Sequence, residues 1–467
     1  MHDFLQFVLG LLERGVGLAV AAVAAGCLIF AVVYFIFRVK TKGTKKFPWG
    51  KAIAALMLVG YTAILLYATL LRYSSGAFGT NFHLFRAWKE TWNSCSLQNW
   101  LNVLLNVALF IPLGILLPLL TKRLRKWYAL PAIGFGTSLC IELVQYTTGR
   151  GMLDVDDLFA NTLGCILGYC IVMAVLSLFC RKGKSFKKCL AYLAYPAAFA
   201  VALTGLYAGY HLKEYGNLEE SPIFTANTKG VVWNLAFELD DTVTSVPVYR
   251  TEPLNKATCD KFGAEFAANA KITFSDAYYY DHTTIFANHS TGDFLNVNYY
   301  DRSYDYTLGK DAQVPDGKPV DEAFLREILN GYGIYIPKMA EYSDDGEGRY
   351  TFTVNMQPTD GGFVDGTLTC RCDKDGTALR SVTNRLVTLA YYKDAPVLTQ
   401  SAAYKQLCKG KFANGDRFEY YAPRQVSVLS CTQEYRMDTK GFYRPVYVFD
   451  VVLDGETCDK IVMPAGK

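Results

Sequence analysis

The sequence predicts a membrane α-helical bundle of six transmembrane helices followed by an extracellular α+β domain with antiparallel sheets. Three observations carry that expectation. The 467-residue chain is 51% hydrophobic, too long and too apolar for one ordinary soluble domain. Its long apolar runs all end before residue 211, after which tyrosines, turn residues and alternating apolar and polar stretches take over. Charge divides at the same place: residues 1–210 contain 20 Lys and Arg against 7 Asp and Glu, and subtraction from the totals of 47 and 43 leaves 27 against 36 beyond. Two parts of opposite net charge face different surroundings.

A membrane-crossing helix needs about 20 apolar residues. Six segments meet that length: Gly15–Phe37, Ala52–Leu71, Leu101–Leu120, Trp127–Thr148, Leu158–Phe179 and Cys189–Tyr210. The first contains "VAAGC" but lacks a basic start and runs on apolar through Phe37, so it reads as a retained helix and not as a signal peptide. Loops 38–51, 122–126 and 181–188 hold six, four and five Lys or Arg, whereas segments 1–14, 72–100 and 149–157 hold one, three and one. Basic loops stay on the cytoplasmic side. Both termini and the whole acidic tail are therefore expected outside.

One stretch of the bundle is unusually polar. In "IELVQYTTGRGMLDVDDLFANTLGCILGY", residues 141–169, Asp154, Asp157, Asn161, Gly164 and Gly168 step by three, four, three and four, which places them on one helical stripe. Glu142 and Gln145 lie three apart on the preceding helix, and Asn99, Asn102 and Asn106 step by three and four at the start of the third span. All are expected at the outer ends of their helices, converging on an outward-opening pocket or a buried network. A carboxylate facing lipid costs roughly 2.5–3.5 kcal/mol, which favours the inward orientation. Glu142 sits about two turns below Arg150, on the order of 10 Å into its helix, so it needs a partner, a proton or water. Arg150 and Asp154 in the intervening turn are the nearest candidates to supply one. A purely structural reading competes: such residues can join helices, Gly164 and Gly168 form a small-residue packing face, and the Asp run can cap the fifth helix.

These pieces together resemble the VanZ-like family of bacterial membrane proteins over roughly residues 52–180. The resemblance rests on "YTAILLYATLLR" ending in Arg72, "NFHLFRAW", "NVALFIPLGILLP" at 106–118, "IELVQ", and "GRGMLDVDDLFANTLGCILGY" from Arg150, in that order and spacing. The outer loop departs from the family pattern, with "NFHLF" where the family has a proline. The resemblance implies a multi-pass protein of the bacterial plasma membrane, in a family whose founding member is associated with low-level teicoplanin resistance and to which no enzymatic activity is assigned. It places Arg72, Asn106, Glu142, Gln145, Arg150, Asp154, Asp157 and Asn161 on the family's motif as the candidate polar cluster.

Beyond the bundle, residues 211–230 read as a linker and 231–467 as the extracytoplasmic domain, in two units of about 231–390 and 391–467. "LNKATCDKFGAEFAANA", "VDEAFLREILNGY" and "SAAYKQLCKG" predict helices, the last capped by Ser401; "KITFSDAYYY", "FLNVNYY", "RYTFTVN" and "TLTCRC" predict strands. "CDKDGT" predicts a hairpin turn, and "QVSVLSCTQEYRM" with "YRPVYVFDVVL" a closing hairpin across "DTKG". The tail from residue 395 resembles PepSY and YycH-type extracytoplasmic modules, which implies a binding or regulatory role. Cys259, Cys370, Cys372, Cys408, Cys431 and Cys458 form an even set able to pair outside the cytoplasm. Tyr278, Tyr279 and Tyr280 predict either a sheet-packing or a glycan-stacking face.

The functional expectation is a non-enzymatic binding or resistance-type envelope protein, with membrane lipid and a cell-wall component, glycopeptide antibiotic or envelope protein as partners. Its alternative is a membrane enzyme acting on a lipid-linked or phosphorylated substrate, with Glu142 or Asp157 as general acid or base and Arg150 or Arg72 holding the anion. Five scattered histidines and the lack of a Cys-x-x-Cys pair predict neither metal nor cofactor. The basic clusters are short loops beside the spans, so nucleic acid is not expected as a partner. Transport lacks the internal repeat that would favour it.

Overall fold

A computed structural model describes residues 46–71, 79–179, 185–280, 282–309, 321–346, 348–359, 362–372 and 379–466, and nearer the start 20, 24–27, 30–32, 34–42 and 44. The chain divides into two compact units, Met1–Glu214 and Tyr215–Lys467.

The first unit is helical. Helix α1 (Trp49–Leu66) runs into a π-helical turn at Tyr67–Leu71. A short α2 (Arg86–Ser94) is followed by α3 (Leu97–Leu120), α4 (Ala129–Thr148), α5 (Val155–Phe179) and α6 (Phe186–Leu212). Among the described residues, four helical stretches are long and apolar enough to cross a membrane: Trp49–Leu70, Leu97–Leu120, Val155–Phe179 and Phe186–Leu212. The helix α4 is less apolar, since it contains Glu142 and Gln145 and ends in two threonines. The first expected span, Gly15–Phe37, falls partly outside the described residues; its described positions 20, 24–27, 30–32 and 34–37 are helical.

The small-residue stripe positions α5 within this unit. A Cβ at Gly164 would fall on the carbonyl oxygen of Val107, and one at Gly168 on that of Ile111, while Gly114 of α3 meets Cys165 in the same way. Only glycine lets the two backbones approach so closely, which is how small residues associate helices where no hydrophobic gain is available. Phe110, Cys165, Tyr169 and Met173 fill the space beside this crossing. Tyr61 ties α1 to α3 by donating its hydroxyl to the Leu109 carbonyl at 2.9 Å. Large apolar side chains such as Ile53, Met57, Leu190 and Val201 remain exposed on α1 and α6. Such faces suit lipid as their solvent.

The second unit is dominated by antiparallel pairing, in a 14-stranded sheet among the described residues. One core lies where α7 (Lys256–Ala270) and α8 (Glu322–Gly331) cover strands β6 (Thr283–Asn288), β7 (Asp293–Asn298), β8 (Tyr304–Thr307), β10 (Arg349–Thr359), β11 (Gly362–Cys372) and β12 (Leu379–Asn384), with β5 (Asp276–Tyr279) beside β6 and β9 (Glu341–Asp344) beside β10, around Phe266, Leu325, Leu329, Phe352 and Leu368. A capping box between Asn255 and Thr258 starts α7. A second core forms where α9 (Gln400–Leu407) and α10 (Gly415–Tyr421) pack on β14 (Gln425–Met437), β15 (Phe442–Leu453) and β16 (Thr457–Pro464). Strands β3 (Val232–Leu235) and β4 (Ser245–Arg250) precede residue 390, yet pair with β14 and with β15 and β13 (Val387–Pro396). The two cores are thus not successive pieces of chain.

Several local expectations resolve differently. The cap of α9 is Thr399, whose hydroxyl accepts from Ala402 N–H at 3.3 Å; Ser401 lies inside the helix and donates its N–H to Asp241. Residues 211–230 are not a free linker. His211 and Leu212 complete α6, while Gly216 and Asn217 donate N–H bonds to Asp438 and Thr439 and Leu218 is buried beside Val446 and Val448. The "CDKDGT" turn lies outside the described residues apart from Cys372. The six later cysteines stand as thiols, with Cys259, Cys370 and Cys372 buried. Tyr279 donates to Asp260 at 2.8 Å, and Tyr278 is paired with His289 at 3.0 Å.

Candidate functional site

The polar residues of the first unit gather at the corner between α4 and α5. Gly149 ends α4 in the left-handed conformation with φ 65°, and two short strands follow: β1 (Thr80–Asn81) pairs in parallel with β2 (Leu153–Asp154). This pairing brings the loop after α1 against the start of α5. Asp154 then acts twice. Its carboxylate accepts the Asn81 amide at 2.9 Å and the N–H of Asp156 at 2.7 Å, so it both fixes the loop and caps α5.

The remaining carboxylates each take specific donors. Glu142, only 2% exposed, accepts the Asp154 N–H at 3.0 Å. Asp157 accepts the Asn106 amide at 2.5 Å across the glycine-mediated crossing of α3 and α5. Asp156, also 2% exposed, accepts N–H groups from Phe85 at 2.5 Å and Ala87 at 2.6 Å. It thereby caps α2, whose own preceding residue, Phe85, supplies no side-chain cap. One turn deeper, Asn161 donates to Ser138 at 2.9 Å between α5 and α4. The Oδ1 of Asn161, the Oγ1 of Thr162 and the Nε1 of Trp88 are buried and find no hydrogen-bond partner among the described residues.

Two residues serve the end of α1. The π-turn there leaves backbone carbonyls without helical donors. Gln145 donates to the Thr69 carbonyl and Arg150 to the Leu70 carbonyl, each at 2.8 Å. A guanidinium at a helix C-terminus is also favoured by the helix dipole. Arg150 therefore does not pair with Glu142: the carbonyl takes the guanidinium, and the Asp154 N–H takes the carboxylate.

Of the expected cluster, Glu142, Asp154 and Asp157 act on one another electrostatically, with Asn106 bound to the last. Asn161 stands one turn below, and Gln145 and Arg150 lie on the α1 side. Arg72 lies outside the described residues. Of the expected asparagine stripe, only Asn106 joins: Asn99 donates to Ser94 and Asn102 accepts from Gln98 at the surface. Sequence reasoning missed Asp156, Asn81 and Ser138. Asp156 lay within the noted Asp run, and Ser138 is one turn before Glu142, but nothing local marks Asn81. Among the described residues no group of three or more His, Cys, Asp or Glu is arranged to hold a metal ion.

A bundle of apolar helices that folds its carboxylates and amides inward at one corner is the domain of a membrane protein. Residues 55–179, which include this corner, match the family model described as VanZ/LLP1, and this part of the chain is a VanZ-like domain. No curated protein matches the chain. Among solved structures, the Bacillus megaterium YpeB C-terminal domain is similar at 8% identity and a TM-score of 0.21, over 46% of this chain and 95% of that one.

Proposed function

We propose that this protein is a non-enzymatic, resistance-type protein of the bacterial cell envelope whose VanZ-like corner recognises a cell-wall component, a glycopeptide-like antibiotic or an envelope partner, with the second unit extracellular. The observation that carries the reading is the closeness of Glu142, Asp154 and Asp157, within a family-matched segment, with backbone and amide donors and, among the described residues, no side-chain cation bound to them. Carboxylates withdrawn from water are expensive, so retaining Glu142 and Asp157, neither of which caps a helix, beside the capping Asp154 favours a donor-bearing or cationic ligand group. The excess of basic residues in loops 38–51, 122–126 and 181–188 supports the orientation that turns this corner outward.

The test compares a bacterial strain lacking the gene with strains producing the wild type, Glu142→Gln or Asp157→Asn at matched membrane levels. Both substitutions keep an acceptor oxygen for the existing donors, so the fold is retained while the charge is lost. Teicoplanin and other wall-active compounds are titrated against each strain. Susceptibility of both variants equal to that of the gene-less strain supports the proposal. Variants that protect as well as the wild type would sink it.

A further inference from the structure

In the second unit, three aromatic rings meet edge to face: Tyr392 and Phe442 with centroids 5.0 Å apart, Tyr215 and Phe442 at 5.3 Å, and Tyr215 and Tyr392 at 6.5 Å. Three cations lie over them. Arg250 sits 4.9 Å from the Phe442 centroid and Arg444 4.9 Å from that of Tyr215, while Lys393 lies 5.6 Å and 5.7 Å from Tyr215 and Tyr392. The pairing of Arg250 with Ala390 and Phe442 brings β4, β13 and β15 together here, and a bulge between Tyr391 and Lys393 lets the adjacent Tyr392 and Lys393 both meet the Tyr215 ring. Arg250, Tyr391, Tyr392 and Lys393 are exposed.

The charge at this face is out of keeping with its surroundings. Residues 211–467 are acidic overall, and Arg302, Arg326, Arg349, Arg385, Arg417 and Arg436 each make an ion pair with a carboxylate. Among the described residues Arg250 and Arg444 make none, as is also true of Arg371 and Arg424 elsewhere in the unit, so it is the stacking on rings that sets this face apart. The Arg444 guanidinium donates to the Gly216 carbonyl at 3.4 Å, and its charge also bears on Asp438. A guanidinium stacked on a ring keeps its N–H edge for an anion and suits the bidentate geometry of phosphate.

We propose that this face binds the phosphodiester headgroup of an anionic membrane lipid. Aromatic rings interleaved with cations are the composition that settles at the headgroup layer. The lipid is the phosphate source within reach, because Tyr215 follows the end of the apolar helix at Leu212 by three residues, at most roughly 11 Å of chain. The proposal uses none of the residues at the α4–α5 corner, so it stands or falls apart from the function proposed above.

The test places the full chain in nanodiscs of neutral phosphatidylcholine, with or without phosphatidylglycerol, and follows amide hydrogen exchange over residues 390–396 and 440–445. Exchange about fivefold slower with phosphatidylglycerol is expected, lost at high salt and in the Arg250→Gln, Lys393→Gln, Arg444→Gln triple variant. Since Arg444 also holds Gly216, Arg250→Gln alone serves as the variant that leaves the fold intact, with protection expected between the two. Equal exchange in the two lipids would overturn the proposal. So would protection that survives the triple substitution, or protection by inorganic phosphate in neutral nanodiscs with none from phosphatidylglycerol.

Discussion

The Asp156 carboxylate accepts the backbone N–H of Ala87 at 2.6 Å, and through it the start of α5 caps the short helix α2 from 69 residues away. The same carboxylate holds Phe85, whose left-handed φ of 67° turns the chain into that helix. Removing a helix cap costs about 0.5–2 kcal/mol, and a charged acceptor serving two N–H groups belongs at the upper end. Asp156→Ala is expected to lower the unfolding midpoint of the detergent-solubilised protein and to speed amide exchange over residues 85–94 in particular. Unchanged exchange there would show that α2 does not depend on this cap.

The crossing of α3 and α5 supplies a sharper comparison. A methyl group at Gly164 has no space against the Val107 carbonyl, whereas one at Gly136 meets nothing within 4 Å among the described residues. Gly164→Ala is expected to destabilise the bundle by about 1–3 kcal/mol through overpacking, and Gly136→Ala to be neutral or stabilising by up to about 1 kcal/mol. Because Asn106 lies one residue before Val107 on the same helix, the forced separation should also loosen its bond to Asp157. Equal unfolding midpoints for the two variants would contradict the close approach.

Much of this corner was legible in the spacing of residues. The three-and-four steps through Asp157, Asn161, Gly164 and Gly168 describe one face, and that face does meet α3 through its glycines and Asn106 through Asp157. The choice of partner was not legible. Asn99 and Asn102 share the step pattern of Asn106, but they lie nearer the start of α3, where Ser94 and Gln98 are their neighbours. Asp156 and Arg150 bind backbone groups of Phe85, Ala87 and Leu70, which carry no side-chain signature in a sequence. In the second unit the alternation of "QVSVLSCTQEYRM" and "YRPVYVFDVVL" marked the long hairpin, whereas the pairing of β3 and β4 with it joins residues as far apart in the chain as Val232 and Gln425, or Arg250 and Phe442.

Asn161 and Ser138 offer a measure of how much a single polar bond contributes inside the bundle. Asn161 is 5% exposed and Ser138 fully buried, and the amide donates while its own oxygen finds no partner among the described residues. Interhelical bonds of this kind average about 0.6 kcal/mol because the membrane-inserted unfolded state also satisfies its polar groups. A double-mutant cycle of Asn161→Ala and Ser138→Ala, read by unfolding in detergent, is expected to give a coupling near that size. A coupling of several kcal/mol would mean that the pair supports the neighbouring carboxylates as well.

The turn between β14 and β15 should make the second unit sensitive to pH through one carboxyl. Asp438 is buried and accepts N–H groups from Lys440 at 2.8 Å, Phe442 at 3.0 Å and Gly216 at 2.7 Å, fastening the chain that emerges from α6. Burial raises its carboxyl above the ordinary value, against the pull of those N–H groups and of the Arg444 charge. A carboxyl raised in the folded state holds its proton more tightly there than in the unfolded chain, so its contribution is complete below the ordinary carboxylate value and is lost as pH climbs through the raised one. Asp438→Asn cannot ionise, and its amide turns a donor toward Gly216 or toward the turn. The variant should therefore be less stable than the wild type, by a margin that is largest at about pH 4, the ordinary carboxylate value, and shrinks as pH rises above it. Amide exchange of Gly216 and Asn217 across that range measures the margin, and a gap that widens with rising pH would show that the N–H groups, and not burial, govern this carboxyl.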